Sequence, residues 1–342
     1  MTPRRIFPLA LIACSALAGL LAPPPAVAGT LEDVRGRGAL RCGVNPGLKG
    51  FAQPNSLGAW SGLDVDFCRA VAAAALGDPG AVDFVPVGAA ERFDGLVAGD
   101  YDVLARNTTW TLERNAAHGE FVGVNYYDGQ GFMVPKRSGI RSALELDGRG
   151  ICVTRDTTTE LNAIDFFDVS GMRYRPVYYP DTGASAAGYA AGECDALTSD
   201  RSGLAALRAD LERPDAHLVL PEVVSKEPLG PMVRADDAAW ENVVRWTLAC
   251  TINAEEMGIT SANVRERRTA TTPAARRLVG TEGDAGRALG LDRGWCADVI
   301  AAVGNYAESY ERNVGPGTAL GLPRGVNALW TDGGLLYAPP IR

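Results

Sequence analysis

Strand-like and helix-like segments alternate along this chain from residue 39 onward, and that alternation narrows the fold more than any other feature. Residues 39–44 read as a strand opening into the turn Asn45-Pro46-Gly47. Leu63–Leu76 follows with apolar residues at helical spacing, closed by Gly77-Asp78-Pro79. Residues 82–87 read as strand, 91–98 as a helix closed by Gly99, and 101–105 as strand. A second block repeats the pattern, with strands at 130–135, 150–154, 173–178, 194–197 and 217–220. Helices at 160–167 and 203–211 and a helical turn at 144–148 separate them. From residue 238 the chain reads as helical, at 240–256, 263–269, 274–278 and 295–312. The pattern argues two α/β lobes with largely parallel sheets and a helical C-terminal extension packed on one of them. Punctuated crossovers at 126–130 and 225–231 read as linkers. Two lobes joined by two strands enclose a cleft, a favoured place for a ligand.

Charge and composition then remove whole classes of function. The 342 residues carry 33 Lys and Arg against 41 Asp and Glu, a net charge of −8. A chain this acidic has no electrostatic footprint for nucleic acid or for an anionic membrane surface. Only two histidines are present, His118 and His217, which argues against a His-rich metal site or a Ser-His-Asp triad. No metal or cofactor is expected.

The first 28 residues have the three parts of a secretory signal: Arg4 and Arg5, an apolar stretch over 7–21, and Ala26-Val27-Ala28 ahead of a cleavage site. The apolar stretch is shorter than the ~20 residues that span a membrane. Leu11-Ile12-Ala13-Cys14 also fits a lipoprotein site, but using it would leave the signal unusually short and Ala28 idle. The expectation is a soluble exported chain starting at Gly29. Beyond Cys14 there are six cysteines, Cys42, Cys68, Cys152, Cys194, Cys250 and Cys296. An even number in an oxidising compartment reads as disulfides, with about 15 possible connectivities.

Four stretches that follow strand ends can carry binding chemistry, because open α/β sheets bind ligands there. Thr108-Thr109-Trp110-Thr111-Leu112-Glu113-Arg114 offers hydroxyls, N–H groups and a guanidinium suited to a carboxylate. Thr157-Thr158-Thr159-Glu160 offers a second set with a capping-box look. Thr198-Ser199-Asp200 sets a carboxylate at a strand end, suited to an ammonium, and residues 45–51 form a Gly-rich loop with Leu48 and Phe51 as apolar walls. Each has a plainer role as a helix cap or core residue; their joint placement is what favours a site.

At these residues the sequence resembles the extracytoplasmic solute-binding proteins of polar amino-acid ABC transporters, most closely the general L-amino-acid-binding subfamily. The supporting stretches include Arg41-Cys42-Gly43-Val44-Asn45, Gly62-Leu63-Asp64-Val65-Asp66-Phe67-Cys68, residues 106–112, Gly123-Val124-Asn125-Tyr126-Tyr127-Asp128-Gly129-Gln130 and Ser225-Lys226-Glu227-Pro228-Leu229-Gly230-Pro231. The resemblance implies the two-lobe type II periplasmic-binding fold with a hinged cleft. One lobe would be 29–127 plus 229–342, the other 128–228. It implies that Thr109 and Arg114 hold an α-carboxylate, with Thr158 and Thr157 donating from the second lobe. Asp200 and the carbonyl of Asn107 would take the α-ammonium, with Asn45 and Leu48 toward the ligand side chain and Phe51 either there or in the core. Asp156 departs from the Gly expected before the threonine run.

The expected disulfides are Cys42–Cys68, Cys152–Cys194 and Cys250–Cys296. The first two join a strand to a nearby element of one lobe, and the third uses the partners left in the tail. The function implied is a monomeric, non-enzymatic periplasmic receptor that delivers free L-amino acids to an inner-membrane permease. The alternatives are an enzyme on the same fold, of the cyclohexadienyl or arogenate dehydratase type, with Glu113 or Glu160 as general acid, and an amino-acid sensor.

Overall fold

The structure, a computed structural model, describes residues 29–266 and 272–342. The signal and lipoprotein readings of the first 28 residues lie outside the described part.

The alternation becomes two five-stranded sheets. The first runs Val82–Pro86, Leu40–Val44, Val103–Leu104, Met232–Val233, Glu120–Phe121; its first three strands are parallel, and Met232–Val233 is antiparallel to both neighbours. The second runs Arg175–Tyr179, Gly150–Thr154, Ala196–Asp200, Gln130–Pro135, His217–Val219. Its first three strands are again parallel, and Gln130–Pro135 is antiparallel to both neighbours. Between the sheets the chain crosses twice, through Tyr126–Asp128 and Glu227–Leu229, which pair antiparallel with Asp128 opposite Glu227. The two linkers are therefore one ribbon.

The helix Leu63–Leu76 is buried on nearly every side, Asp64 and Asp66 included. The strand Leu40–Val44 lies on one side, tied on by the Cys42–Cys68 disulfide. Helices Ala238–Glu256 and Trp295–Val303 cover the others, joined by Cys250–Cys296. Alanines at 70 and 72–75 keep that helix thin enough for close approach. The third bridge is Cys152–Cys194. All three pairs are those expected.

Two helical expectations and one strand expectation are corrected. The segment 295–312 is two helices, Trp295–Val303 and Tyr306–Asn313. Gly304 at φ 84° turns the chain, and Asn305 restarts it with a capping box to Glu308. Of the helix expected at 263–269, residues 263–265 are turn and the last three lie outside the described residues. The strand expected at 101–105 pairs only over Val103–Leu104. After Asn313 the tail has no further α-helix among the described residues, yet it buries Leu320, Leu329, Leu336 and Ile341 in the larger core. Its Asn327 side chain pairs with the Tyr127 backbone, donating to its oxygen at 2.9 Å and accepting from its nitrogen at 2.7 Å.

Candidate functional site

Strand ends of both sheets converge on one pocket. Its lining includes Asn45, Leu48, Asn107, Thr109 and Arg114 from the first-sheet side, and Thr157, Thr158 and Asp200 from the second. All eight residues singled out from the sequence thus meet. Phe51 does not; it is buried in the core, edge-on to Tyr126 at 5.3 Å. The loop bends back at Leu48, whose bridge to Ala52 turns Phe51 inward.

On the first side, Asn107 adopts φ 38°, a left-handed conformation that Asn tolerates better than most residues. Its N–H donates to Asp64 Oδ2 at 2.9 Å, and Asn125 Nδ2 donates to the other oxygen at 3.2 Å. Burial pushes the Asp64 carboxyl up to about 6 against those two hydrogen bonds and Arg106. Asn45 Nδ2 donates to Asn107 Oδ1 at 3.2 Å, and its own Oδ1 takes the Gly47 N–H at 3.1 Å. Thr111 caps helix Leu112–His118 by accepting from the Arg114 N–H. This directs the Arg114 side chain back, where Nη1 donates to the Thr109 carbonyl at 3.0 Å.

On the second side, Asp156 takes φ 58°, the left-handed turn for which glycine was expected. Its N–H donates to Glu160 Oε2 at 3.0 Å. The Thr157 hydroxyl donates to the Thr154 carbonyl at 2.8 Å and accepts from the Glu160 N–H at 3.3 Å. That side chain is therefore occupied as a cap. The free N–H groups at the start of helix Thr158–Val169 remain as donors to an anion. Asp200 precedes helix Arg201–Asp210, but its side chain caps nothing and is buried. Burial first, then the charges of Asp128 and Glu227, hold its carboxyl well above the usual range, opposed by Arg114 and Arg92.

Two lining groups and one beneath them escaped the sequence reading. Arg92 and Arg106 both line the pocket and are buried. Burial, then the Arg106 and Arg114 charges, bring Arg92 down to about 8, and burial brings Arg106 to about 10. The Phe93 ring lies under both Arg92, at 4.4 Å, and Arg114, at 5.4 Å, and stacks on His118 at 4.6 Å. Arg92 follows a strand end, so the rule that found the other four stretches could have found it. Glu227 is the larger omission. Only 1% exposed, it sits in the second crossover strand and accepts from Thr109, Thr158, Asn162 and Ser225. Its signal was a lone acid inside a Pro- and Gly-rich linker. Neither sequence-named general acid reaches the pocket lining: Glu113 is exposed, and Glu160 is held by the Asp156 N–H. Among the described residues no group of three or more His, Cys, Asp or Glu is placed to hold a metal, and no helix is long and apolar enough to cross a membrane.

Two α/β lobes joined by a paired ribbon, with a charged pocket between them, define a type II periplasmic binding protein. The chain belongs to the bacterial extracellular solute-binding proteins, family 3, whose model matches residues 40–263. It is 52% identical over 320 residues to the general L-amino acid-binding periplasmic protein AapJ of Rhizobium johnstonii, covering 93% of this chain and 94% of that one. It is 52% identical over 329 residues to the glutamate/glutamine/aspartate/asparagine-binding protein BztA of Rhodobacter capsulatus, covering 96% and 97%. A solved periplasmic binding protein of an ABC transporter from Brucella ovis, with glutathione bound, superposes with a TM-score of 0.91 at 52% identity. That match covers 92% of this chain and all of that one.

Proposed function

We propose that this protein captures free amino acids in the periplasm and delivers them to an ABC permease of the inner membrane. The observation that carries the reading is a guanidinium, Arg114, and a carboxylate, Asp200, brought from opposite lobes to one pocket. An amino acid presents one negative and one positive group whatever its side chain, so such a pair serves many ligands. Arg114 takes the α-carboxylate with N–H groups at the start of helix Thr158–Val169. Asp200 and the Asn107 carbonyl take the ammonium, while Asn45 and Leu48 face the side chain. Of the three lining arginines, Arg114 is assigned to the carboxylate and Arg106 is offset by the buried Asp64, which leaves Arg92 for the ligand side chain. The buried Nε of Arg92 has no partner, which supports acceptance of acidic and amide side chains, the ligands named for BztA.

Residues 1–28 act as a cleaved signal in this reading, and the chain works as a monomer. The lobes, 29–127 with 229–342 and 128–228, close about the ribbon. Each disulfide lies within one lobe, so none locks the hinge. Deleting the gene is expected to abolish most uptake of labelled glutamate and glutamine, restored by the cloned copy. Unchanged uptake with a lost cellular response to these amino acids would replace transport by sensing.

A further inference from the structure

Buried within the ribbon, Glu227 is given no part in the roles above. Thr109 Oγ1 lies 2.5 Å and Thr158 Oγ1 3.1 Å from its Oε2. Asn162 Nδ2 and Ser225 Oγ each lie 2.6 Å from its Oε1. Four donors occupy the roughly four lone-pair sites of a carboxylate. All four partners are neutral. They come from three parts of the chain: Thr109 from the first lobe, Thr158 and Asn162 from a helix of the second, and Ser225 from the crossover.

We propose that Glu227 is a positioning residue for the amino-acid site: it takes the hydroxyl protons of Thr109 and Thr158, one from each lobe, and so presents both oxygens to the ligand as acceptors. The proposal rests on the amino-acid reading above and deepens it. A hydroxyl has one proton to give and two lone pairs. The two threonine oxygens are 3.3 Å apart, and a carboxylate is a stronger acceptor than a neutral hydroxyl, so both protons go to Glu227. What remains toward the pocket is lone pairs. They suit an ammonium and oppose a carboxylate. The carboxylate therefore falls to Arg114 and the helix N-terminus, and Thr109 joins Asp200 and Asn107 on the ammonium side. In the sequence expectation both threonines stood on the carboxylate; here their hydroxyl oxygens do not. Because the donors come from both lobes, the arrangement is assembled only when the lobes meet as they do here.

A double-mutant cycle of Glu227→Gln and Thr158→Val tests this, with affinity read by calorimetry for the best amino-acid ligand of the wild type. Gln keeps the size but places N–H donors against the threonine oxygens, turning their protons toward the pocket. Each single variant is expected to weaken binding about 10- to 100-fold. The double variant is expected to be within about threefold of the weaker single. Losses that multiply, or a Glu227→Gln variant within about threefold of wild type, would overturn the proposal. Thr158→Ser, which keeps the hydroxyl, is expected to retain affinity. If Glu227→Gln does not fold, a Thr158→Val variant that binds as well as Thr158→Ser still rejects the proposal. A wild type that binds no amino acid would reject the functional reading instead, so the two failures are told apart.

Discussion

Asp200→Asn should remove most of the pH dependence of ligand binding. The wild-type carboxyl is buried beside Asp128 and Glu227, and its affinity for protons is raised well above that of an ordinary aspartate. An ammonium ligand needs the ionised form. As pH falls through the raised pKa, binding must first expel a proton, and affinity drops by up to about tenfold per unit, or about 1.4 kcal/mol. Above that pKa the group is already charged and the dependence flattens. Asp128, brought up to about 6 mainly by burial, adds to the slope, so the released protons belong to the pair. Asn keeps the shape and removes the charge, leaving the ammonium buried without its counter-ion. That costs roughly 2–5 kcal/mol, or about 30- to 5,000-fold, at the alkaline end. Towards the acid end the gap narrows, because the wild type there has lost the same charge. Calorimetry in buffers of different ionisation enthalpy, from about pH 8 to about pH 5, gives both affinity and proton count. A flat wild-type profile, or an Asp200→Asn profile of equal slope, would refute the assignment.

Arg114→Lys cannot give a planar fork to a carboxylate while also holding the Thr109 carbonyl. It is expected to weaken every amino-acid ligand by a similar factor, about 30-fold or more; a loss restricted to one side-chain class would contradict this. Asp156→Gly should leave stability unchanged or raise it by up to about 1 kcal/mol, because glycine adopts the left-handed turn without strain. Asp156→Val at the same turn should lower it by at least about 1 kcal/mol in chemical denaturation. Lys49 and Asp210 form an ion pair between the first-lobe loop and the end of a second-lobe helix. Lys49→Ala is expected to speed ligand release about two- to fivefold at low salt and hardly at all at high salt, read by stopped-flow fluorescence.

Legibility followed periodicity. Leu63–Leu76 and Gly150–Thr154 stood out because apolar residues recur at helical spacing in one and run together in the other. Helix Thr182–Ala191 was invisible: its Thr-Gly-Ala-Ser-Ala-Ala-Gly run has no apolar stripe, and its stability comes from an Asp181 cap and packing on Gly150–Thr154. The break at Gly304 was missed because apolar spacing continues across it, while the capping box that restarts the helix is local chemistry. In the site, strand ends followed by threonines and a charge gave Thr109, Arg114, Thr158 and Asp200. Glu227 could not be found that way. Its partners are 118 and 69 residues distant for Thr109 and Thr158, and only the folded ribbon brings them together. Phe51 erred in the opposite direction, since an aromatic in a Gly-rich loop looks the same in sequence whether it faces a ligand or the core.

Titration calorimetry of the chain from Gly29 onward against each of the twenty amino acids tests the central claim most directly. Saturable one-to-one binding of several of them is expected, with glutamate, glutamine, aspartate and asparagine among the ligands and each recovered unchanged afterwards. Heats indistinguishable from dilution for all twenty, or a ligand chemically altered on recovery, would contradict it.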